Sequence, residues 1–574
     1  MRNRITKNGL EGSVIIGAYG ALISIKITDE KVNTPDFLGF EIKRDDNTEN
    51  ESYPLKGFKY FAESGVPSVK GQLFDTDKQP IQSCYWEDFS VKPTHKYIYH
   101  IIPVYGKPKN LTYGASVDVP VESETAEGEF HSVHFNMGVA GSLAYATKFQ
   151  NQRPDHMTPD QKALVVKWLS RGLQEALLGF IDDAIANGKA LRAAFYEFTY
   201  DPVLQKLKDA ISAGLDVKII YDSRGEEDEN EAAITKNELP KTITKNGEEI
   251  TILIPRKNDP QVPAHNKFMV LITDAGASEV WTGSTNITDK GILGQSNVGH
   301  RLKDPGIASK YLDYWDDLSS DPAHVDIQKN TKDIQPDIIA PAGFNDKISV
   351  FFSPREDKLI LKTYSAFITE AKQMVCGIFP FSFNKDMKAA FSVANENLKY
   401  IMVDKIGNAD GITKTDNSII VNGAYFTKPM FDWLQEVNSG LLLNKKPSAV
   451  IGTNYVHNKL LLIDPLSSTP KIIVGSANFS DPSVLSNDEN TLVISGGTEL
   501  QRISDIYFTE FYRIFHHFFV RKATEEINNG KDTSVDSPDN PLHLKTDNSW
   551  LTQFDSDKIK VKMQGQISTM PLKF

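Results

Sequence analysis

Two short segments of this 574-residue chain carry the same reactive side chains. One is His265-Asn266-Lys267, followed by Gly283-Ser284-Thr285-Asn286; the other is His457-Asn458-Lys459, followed by Gly475-Ser476-Ala477-Asn478. In both, the Ser comes 19 positions after the His. A lone His-Asn-Lys reads as a surface turn, whereas two copies at one offset read as two halves of one site. Together they supply two imidazoles, two ammonium groups, two hydroxyls and two carboxamides, with no thiol cluster or carboxylate cage. That set suits a phosphodiester. Lys267, Lys459, Asn286 and Asn478 would hold the charged non-bridging oxygens, supported by Ser284 and Ser476. One imidazole can attack phosphorus while the other protonates the leaving oxygen. These roles need different protonation states and opposite faces of the phosphate, so they need two copies.

The surrounding pattern shows how such a set is positioned. Each His-x-Lys leads into an apolar run, Phe268 to Ile272 and Leu460 to Ile463. In a strand, residues i and i+2 share a face, so each His and its Lys point the same way. Each Gly-Ser-x-Asn ends a second apolar strand, where backbone amides can approach an anion. Ahead of the first copy the pattern predicts a helix over 164–187, a strand over 191–198, a helix from Asp201-Pro202 with Asp at the cap, and a strand over 216–222. This is a βαβ unit and calls for a parallel sheet. Strand 374–381, helix 384–395 and strand 398–404 repeat it. Asp222 and Asp404 are 182 apart and the two His 192 apart, so the second copy carries a net insertion of about ten residues. The acidic run Glu226 to Glu229 reads as a solvated loop, and Ser319 to Asp346 as a linker between halves. A long helix over 499–528 holds Tyr512, Phe515, Phe518 and Phe519 as core residues. Lys558 to Met563 reads as a strand packing back on the body.

The second copy fits in full the signature of the phospholipase D superfamily, His-x-Lys-x4-Asp with a following Gly-Ser-x-Asn: His457, Lys459, Asp464, Gly475, Ser476 and Asn478, with Asn487 and Glu489 resembling the downstream Asn-x-Glu. The first copy departs at the acidic position, where Ile272 stands, and downstream, where Asn297 is followed at +2 by Gly299. The resemblance covers roughly residues 130–525. It implies a composite site, a covalent phosphohistidine, and no metal or cofactor. It makes His265 the nucleophile and His457 the general acid, with Asp464 and Glu489 as acids behind the imidazoles. One of them reaches across to His265, or Asp222 serves instead.

Residues 1–128 have the texture of a β-domain, and the alternating run His95 to Val104 resembles the late strands of a fibronectin type III sandwich. The expected fold is α/β: two phospholipase D-like mixed-sheet halves with pseudo-twofold symmetry, 129–325 and 326–530, behind an all-β sandwich and before a tail, 531–574. Val14 to Ile25 reads as a strand pair in preference to a signal peptide. Trp86, Trp168, Trp315 and Trp433 read as core or interface aromatics; His131, His134, His300, His516 and His517 as structural or surface residues; Arg256-Lys257 as a solvated loop pair. Net charge is −12 and the pI about 5.6, which argues against broad coating of nucleic acid or anionic membrane but leaves room for a small basic cleft. Two cysteines far apart fit a reducing compartment, and the expected location is cytoplasmic. The sequence resembles the bacterial nuclease-like branch of the phospholipase D superfamily more than its lipid enzymes, so the expected substrate is nucleic acid, DNA or RNA, and the protein is expected to be a monomer or homodimer. The rivals are a phospholipase or phosphatidyltransferase acting on phospholipid, and a non-catalytic phosphate-binding scaffold whose sandwich recruits a protein partner.

Overall fold

The computed structural model describes residues 1–64, 72–138, 145, 148–150, 152, 154–259, 262–336, 340–423, 456–530, 540 and 542–572. Trp433, and the stretch just ahead of the second motif where the net insertion would fall, lie outside the described residues. Two seven-stranded mixed sheets dominate. In the first, β1 (His131–Phe135), β2 (Ala190–Phe195), β3 (Asp216–Asp222), β4 (Leu253–Arg256), β5 (Lys267–Thr273), β6 (Gly276–Gly283) and β7 (Val298–Leu302) lie in the order β1-β7-β6-β5-β2-β3-β4. In the second, β8 (Ile348–Ser353), β9 (Met374–Phe379), β10 (Leu398–Val403), β11 (Ser418–Asn422), β12 (Leu460–Ile463), β13 (Lys471–Gly475) and β14 (Glu489–Ile494) repeat it as β8-β14-β13-β12-β9-β10-β11. The parallel pairs β2–β3 and β9–β10 are the predicted βαβ units.

Strand alternation decides what each sheet buries. Phe268, Val270, Leu460 and Leu462 point into one core shared between the sheets, with Tyr311, Tyr314 and Phe352. Met269 and Leu271 face an outer core on one side, Leu461 and Ile463 the outer core on the other. Both faces of the central strands are therefore covered, as parallel strands require. The helix Pro305–Ser319 supplies the tyrosines; the Tyr314 and Phe352 rings stack at 4.4 Å. The glycine of each Gly-Ser-x-Asn has a packing reason. A Cβ at Gly283 would meet the Val298 carbonyl oxygen at 2.2 Å, and one at Gly475 the Asn490 carbonyl oxygen at 2.2 Å.

The N-terminal residues form two antiparallel sheets. Arg2–Lys7, Leu10–Ile16, Ala21–Ile27 and Tyr85–Asp88 make one; the other is built around Phe37–Asp46 and Lys96–Lys107. The predicted strand pair at 14–25 is there, with Leu10 opposite Ile27.

Several local expectations are corrected. The helix over 164–187 is two, Pro159–Ser170 and Leu173–Asn187, because Arg171 and Gly172 both take positive φ. The side chain of Asp201 does not cap its helix and instead accepts from Lys236 and Asn237. The acidic run enters a helix, Glu227–Lys236, whose first turn gains from negative charge. The linker contains a helix, His324–Ile334, with Ile327 buried. Lys558–Thr569 is a helix, not a strand, and it does pack on the body: Met563 and Ile567, four apart, share its buried side.

The duplication is broken at one buried pair. Asn266 accepts from Asn490 Nδ2 at 2.9 Å and donates to the Tyr314 hydroxyl at 3.2 Å. Its counterpart Asn458 is fully buried with neither end of its amide partnered. Asn266→Leu should therefore cost about 2–3 kcal/mol, by stranding the Asn490 Nδ2, while the Tyr314 hydroxyl keeps its bond to the Ser353 carbonyl at 2.7 Å. Asn458→Leu should be neutral or stabilise by about 1 kcal/mol. Thermal melts of the two variants, ranked against the parent chain, check the sign.

Candidate active site

The two His-x-Lys segments meet across the pseudo-twofold axis. Backbone contacts set the approach: the amide of His457 donates to the Ser296 carbonyl at 3.3 Å, joining the second motif to the loop ahead of β7. Within the first half the Tyr196 amide donates to the Asn266 carbonyl at 2.9 Å and holds the first motif to the end of β2. Asp222, at the end of β3, accepts from the amides of Ala264, Gly225 and Glu226 at 2.9, 2.9 and 3.1 Å. It thus holds the turn before His265, with Arg224 Nε also donating to it at 3.2 Å, and is not the partner of the imidazole.

The partner of His265 comes from the other half. Its Nδ1 lies 2.9 Å from Glu489 Oε2, and Glu489 is completely buried. An Nδ1–H donated to the carboxylate leaves Nε2 with a free lone pair. The partner of His457 comes from the first half: Nδ1 lies 2.9 Å from Asn297 Oδ1. The orientation of this amide is set by its Nδ2, which donates to the Gly291 carbonyl at 2.8 Å, so its oxygen must face the ring. Asn136 steadies the same loop, accepting from the Asn297 amide at 2.9 Å and donating to the Gln295 carbonyl at 2.6 Å. Each half therefore orients the other half's histidine, one through a carboxylate and the other through a neutral amide.

Asn297, not Gly299, occupies the position of Glu489. Gly283 pairs with Gly299 as Gly475 pairs with Thr491, so Asn297 and Glu489 each stand two residues before that register point. The first-half sequence is thus read two residues out of step when its Asn297 is matched to Asn487. Ser284 Oγ donates to Asn297 Oδ1 at 2.8 Å. Ser476 accepts from the Asn490 amide at 3.0 Å and bonds Glu489, so each serine supports the residue that supports an imidazole.

Lys267 and Lys459 are both buried. Lys267 Nζ donates to the His265 carbonyl at 2.6 Å and sits 5.0 Å from the centre of the Tyr196 ring. Lys459 Nζ donates to the His457 carbonyl at 2.8 Å and lies 3.0 Å from His457 Nε2. Burial pulls the Lys267 ammonium down to about 8, against the opposing pull of Glu489 and Glu197. Burial also takes Lys459 well below the usual lysine range, and Lys267 lowers it further. Both imidazoles are pushed down by burial, but His265 is partly compensated by Glu489, while for His457 every neighbouring charge, Lys459 first, adds to the fall. Four basic groups this desolvated would each be held in their charged form by an anion placed between them.

Asn286 is buried and Asn478 half-buried, and the Oδ1 atom of each is buried and unpartnered. Asn286 Nδ2 donates to Glu197. The Tyr196 and His265 rings stand 4.8 Å apart, and the Tyr196 hydroxyl donates to Glu226 at 2.9 Å. Glu226 is pushed up to about 7 by burial and by Glu197. Tyr196, Glu197 and Asn136 are additions to the motif residues; they are far away in sequence, and the only cue to the first two is their place directly after β2.

Asp464 is a correction. It does not stand behind an imidazole. It accepts from the amides of Lys372, Gln373 and Met374 at 2.8, 2.7 and 2.9 Å, from a residue at positive φ after β12. It anchors the turn leading into β9. Asp464→Ala should lower stability by about 2 kcal/mol and leave kcat/KM within about twofold, read by urea titration beside turnover. Arg256 is corrected too: it is buried, not solvated, bonding Asp488 at 3.1 Å and Asp321 at 2.7 Å.

Residues 181–318 match the family model described as cardiolipin synthase, PLD-like domain. Among solved structures, the chain is similar to the phosphatidylserine synthase of Haemophilus influenzae, at 13% identity over 70% of this chain and 94% of that one, TM-score 0.41. It is also similar to Nuc, a phospholipase D family member from Salmonella typhimurium, at 18% identity over 30% of this chain and 95% of that one, TM-score 0.19. The yeast tyrosyl-DNA phosphodiesterase aligns at 13% identity over 54% of this chain and 83% of that one, TM-score 0.26. No curated protein matches the chain.

Proposed function

We propose that this chain is a phospholipase D-superfamily phosphodiesterase that turns over through a phosphohistidine on His265, with nucleic acid as its substrate. The observation that carries the reading is the unequal pairing of the two imidazoles, His265 with a buried carboxylate and His457 with a neutral amide oxygen. His265 Nε2 attacks phosphorus as the bond to the leaving oxygen breaks, and His457 delivers its proton to that oxygen. Glu489 stabilises the positive charge that the phosphorylated imidazole acquires. His457, now neutral, takes a proton from water; the hydroxide oxygen attacks phosphorus, the P–N bond breaks and its electron pair returns to His265. Lys267 and Lys459 neutralise the non-bridging oxygens, so the charge stabilisation comes from the chain's own ammonium groups and the reaction runs without a metal. His457 acquires its proton when the bound phosphate anion offsets the burial that otherwise keeps it neutral.

Nucleic acid is favoured over phospholipid by the resemblance of the motif-bearing sequence to the nuclease-like branch. Phospholipid hydrolysis or phosphatidyl transfer is the second reading, supported by the description of the matching family model. The strand order of the N-terminal sheets supports a fibronectin type III-like sandwich, with 10–16, 21–27 and 85–88 facing 51–54, 37–46, 96–107 and 117–122. Two buried, unpaired thiols, Cys84 and Cys376, support a cytoplasmic setting. The test incubates the protein with plasmid, single-stranded DNA, RNA and phosphatidylcholine vesicles in the presence of EDTA. Nicking that survives the chelator is the expected result. Choline release without nicking replaces nucleic acid by phospholipid, and phosphate binding without turnover of any substrate leaves a scaffold.

A further inference from the structure

We propose that Glu197 is a specificity-determining residue that makes this site select a singly charged phosphodiester over a doubly charged phosphomonoester. The inference rests on the phosphodiesterase reading. Glu197 lies two residues past the end of β2, and its backbone carbonyl is fixed by the Ile287 amide at 3.1 Å, so the side chain is delivered to one place. There its carboxylate accepts from Asn286 Nδ2, the amide that the doubled motif assigns to the phosphate. It also acts on both lysines that would neutralise the phosphate, holding each toward its charged form.

Asn286 can serve both partners. Its NH2 has two hydrogens, and one given to Glu197 leaves the other for a phosphate oxygen. The bond to Glu197 also fixes the amide's orientation, because a flipped Asn would turn its carbonyl oxygen toward the carboxylate. A fixed negative charge is thereby placed within one side chain of the anion site. A diester presents one negative charge to two ammonium groups and gains from both. A monoester brings a second charge into the same low-dielectric space and meets Glu197, with Glu226 behind it.

The device exists on one side only. Ala194 pairs with Phe268 as Ile378 pairs with Leu460, so three residues further on Glu197 corresponds to Phe381. Phe381 is an exposed phenyl group, and the second half therefore supplies no carboxylate at that point. A structural counter-ion for the lysines would not need to bond the phosphate-holding amide, and this one does.

The experiment titrates methyl phosphate, mainly a dianion at pH 7.5 given a second pKa of about 6, and dimethyl phosphate, a monoanion, into the full chain by calorimetry. The parent protein should bind dimethyl phosphate at least as tightly as methyl phosphate. Glu197→Gln keeps an acceptor for Asn286 and removes the charge. It should tighten methyl phosphate about tenfold and dimethyl phosphate no more than about threefold. Glu197→Asp should keep the parent ratio within about twofold, and Glu197→Ala is read in the same way should the Gln variant not fold. An unchanged ratio in the neutral variants overturns the inference and leaves the phosphodiesterase reading intact. Binding of neither ion by the parent chain overturns the phosphate site and this inference with it.

Discussion

Replacing His265 by Ala should lower kcat/KM by at least about 10⁴-fold and abolish covalent labelling of the protein by substrate phosphate. The effect is large because the imidazole is the bond-forming atom's carrier, and the described residues around it offer no equivalent nucleophile in position. Lys267 is bonded to a backbone carbonyl and Tyr196 to Glu226. His457→Ala should behave differently, and the difference assigns the two roles. Removing a general acid hurts most when the leaving oxygen is strongly basic. With a p-nitrophenyl ester, whose leaving group departs without a proton, the His457 variant should still show a burst and accumulate the labelled intermediate, because the second step also needs His457 as base. The measurement is rapid-quench detection of acid-labile protein-bound phosphate in both variants. If His265→Ala accumulates label and His457→Ala does not, the order of attack is the reverse of the one argued here.

The doubled motif and its frame were legible because they rest on local rules. Strand alternation puts His and Lys on one face, and a repeated βαβ unit needs a parallel sheet, which β2–β3 and β9–β10 form. What failed were judgements in which tertiary packing outweighs composition. Lys558 to Met563 alternates like a strand, but Asp557 caps a helix there and Met563 and Ile567 bury together at helical spacing. The Asp- and Pro-rich stretch after Ser319 holds a helix because Ile327 has a core to enter. Asp464 matched a motif position, yet its carboxylate is consumed by three backbone amides of a turn. The position of Asn297 was readable in principle. It stands 13 residues after Ser284, as Glu489 stands 13 after Ser476, and the interval is a stronger guide than the neighbouring asparagine. Glu197 was not readable, since its bond to Asn286 spans 89 positions and no motif joins them.

The second large effect concerns the carboxylate–amide asymmetry, and it should separate the two limbs of the pH profile. Glu489→Gln removes the charge that raises the His265 pKa against burial. The nucleophile must be neutral, so activity falls on the acid side as His265 protonates. With Glu489 gone that pKa falls further, and the acid limb should move to lower pH. The plateau should nevertheless drop by about 10²–10³-fold, because the phosphorylated imidazole loses its buried counter-charge while the amide oxygen left in its place only keeps the ring's orientation. Asn297→Asp should act on the other limb. His457 must carry a proton to protonate the leaving oxygen, so activity falls on the alkaline side as that proton is lost. A carboxylate 2.9 Å from its Nδ1 in place of the amide oxygen would raise the His457 pKa and push the alkaline limb up by about 1–2 pH units. A more basic His457 is also a weaker acid, so kcat with a basic leaving group should fall even as the pH range widens. Profiles of kcat/KM against pH for the parent chain and both variants test the assignment. Movement of the alkaline limb in Glu489→Gln, or of the acid limb in Asn297→Asp, would mean that Glu489 and Asn297 serve the opposite roles.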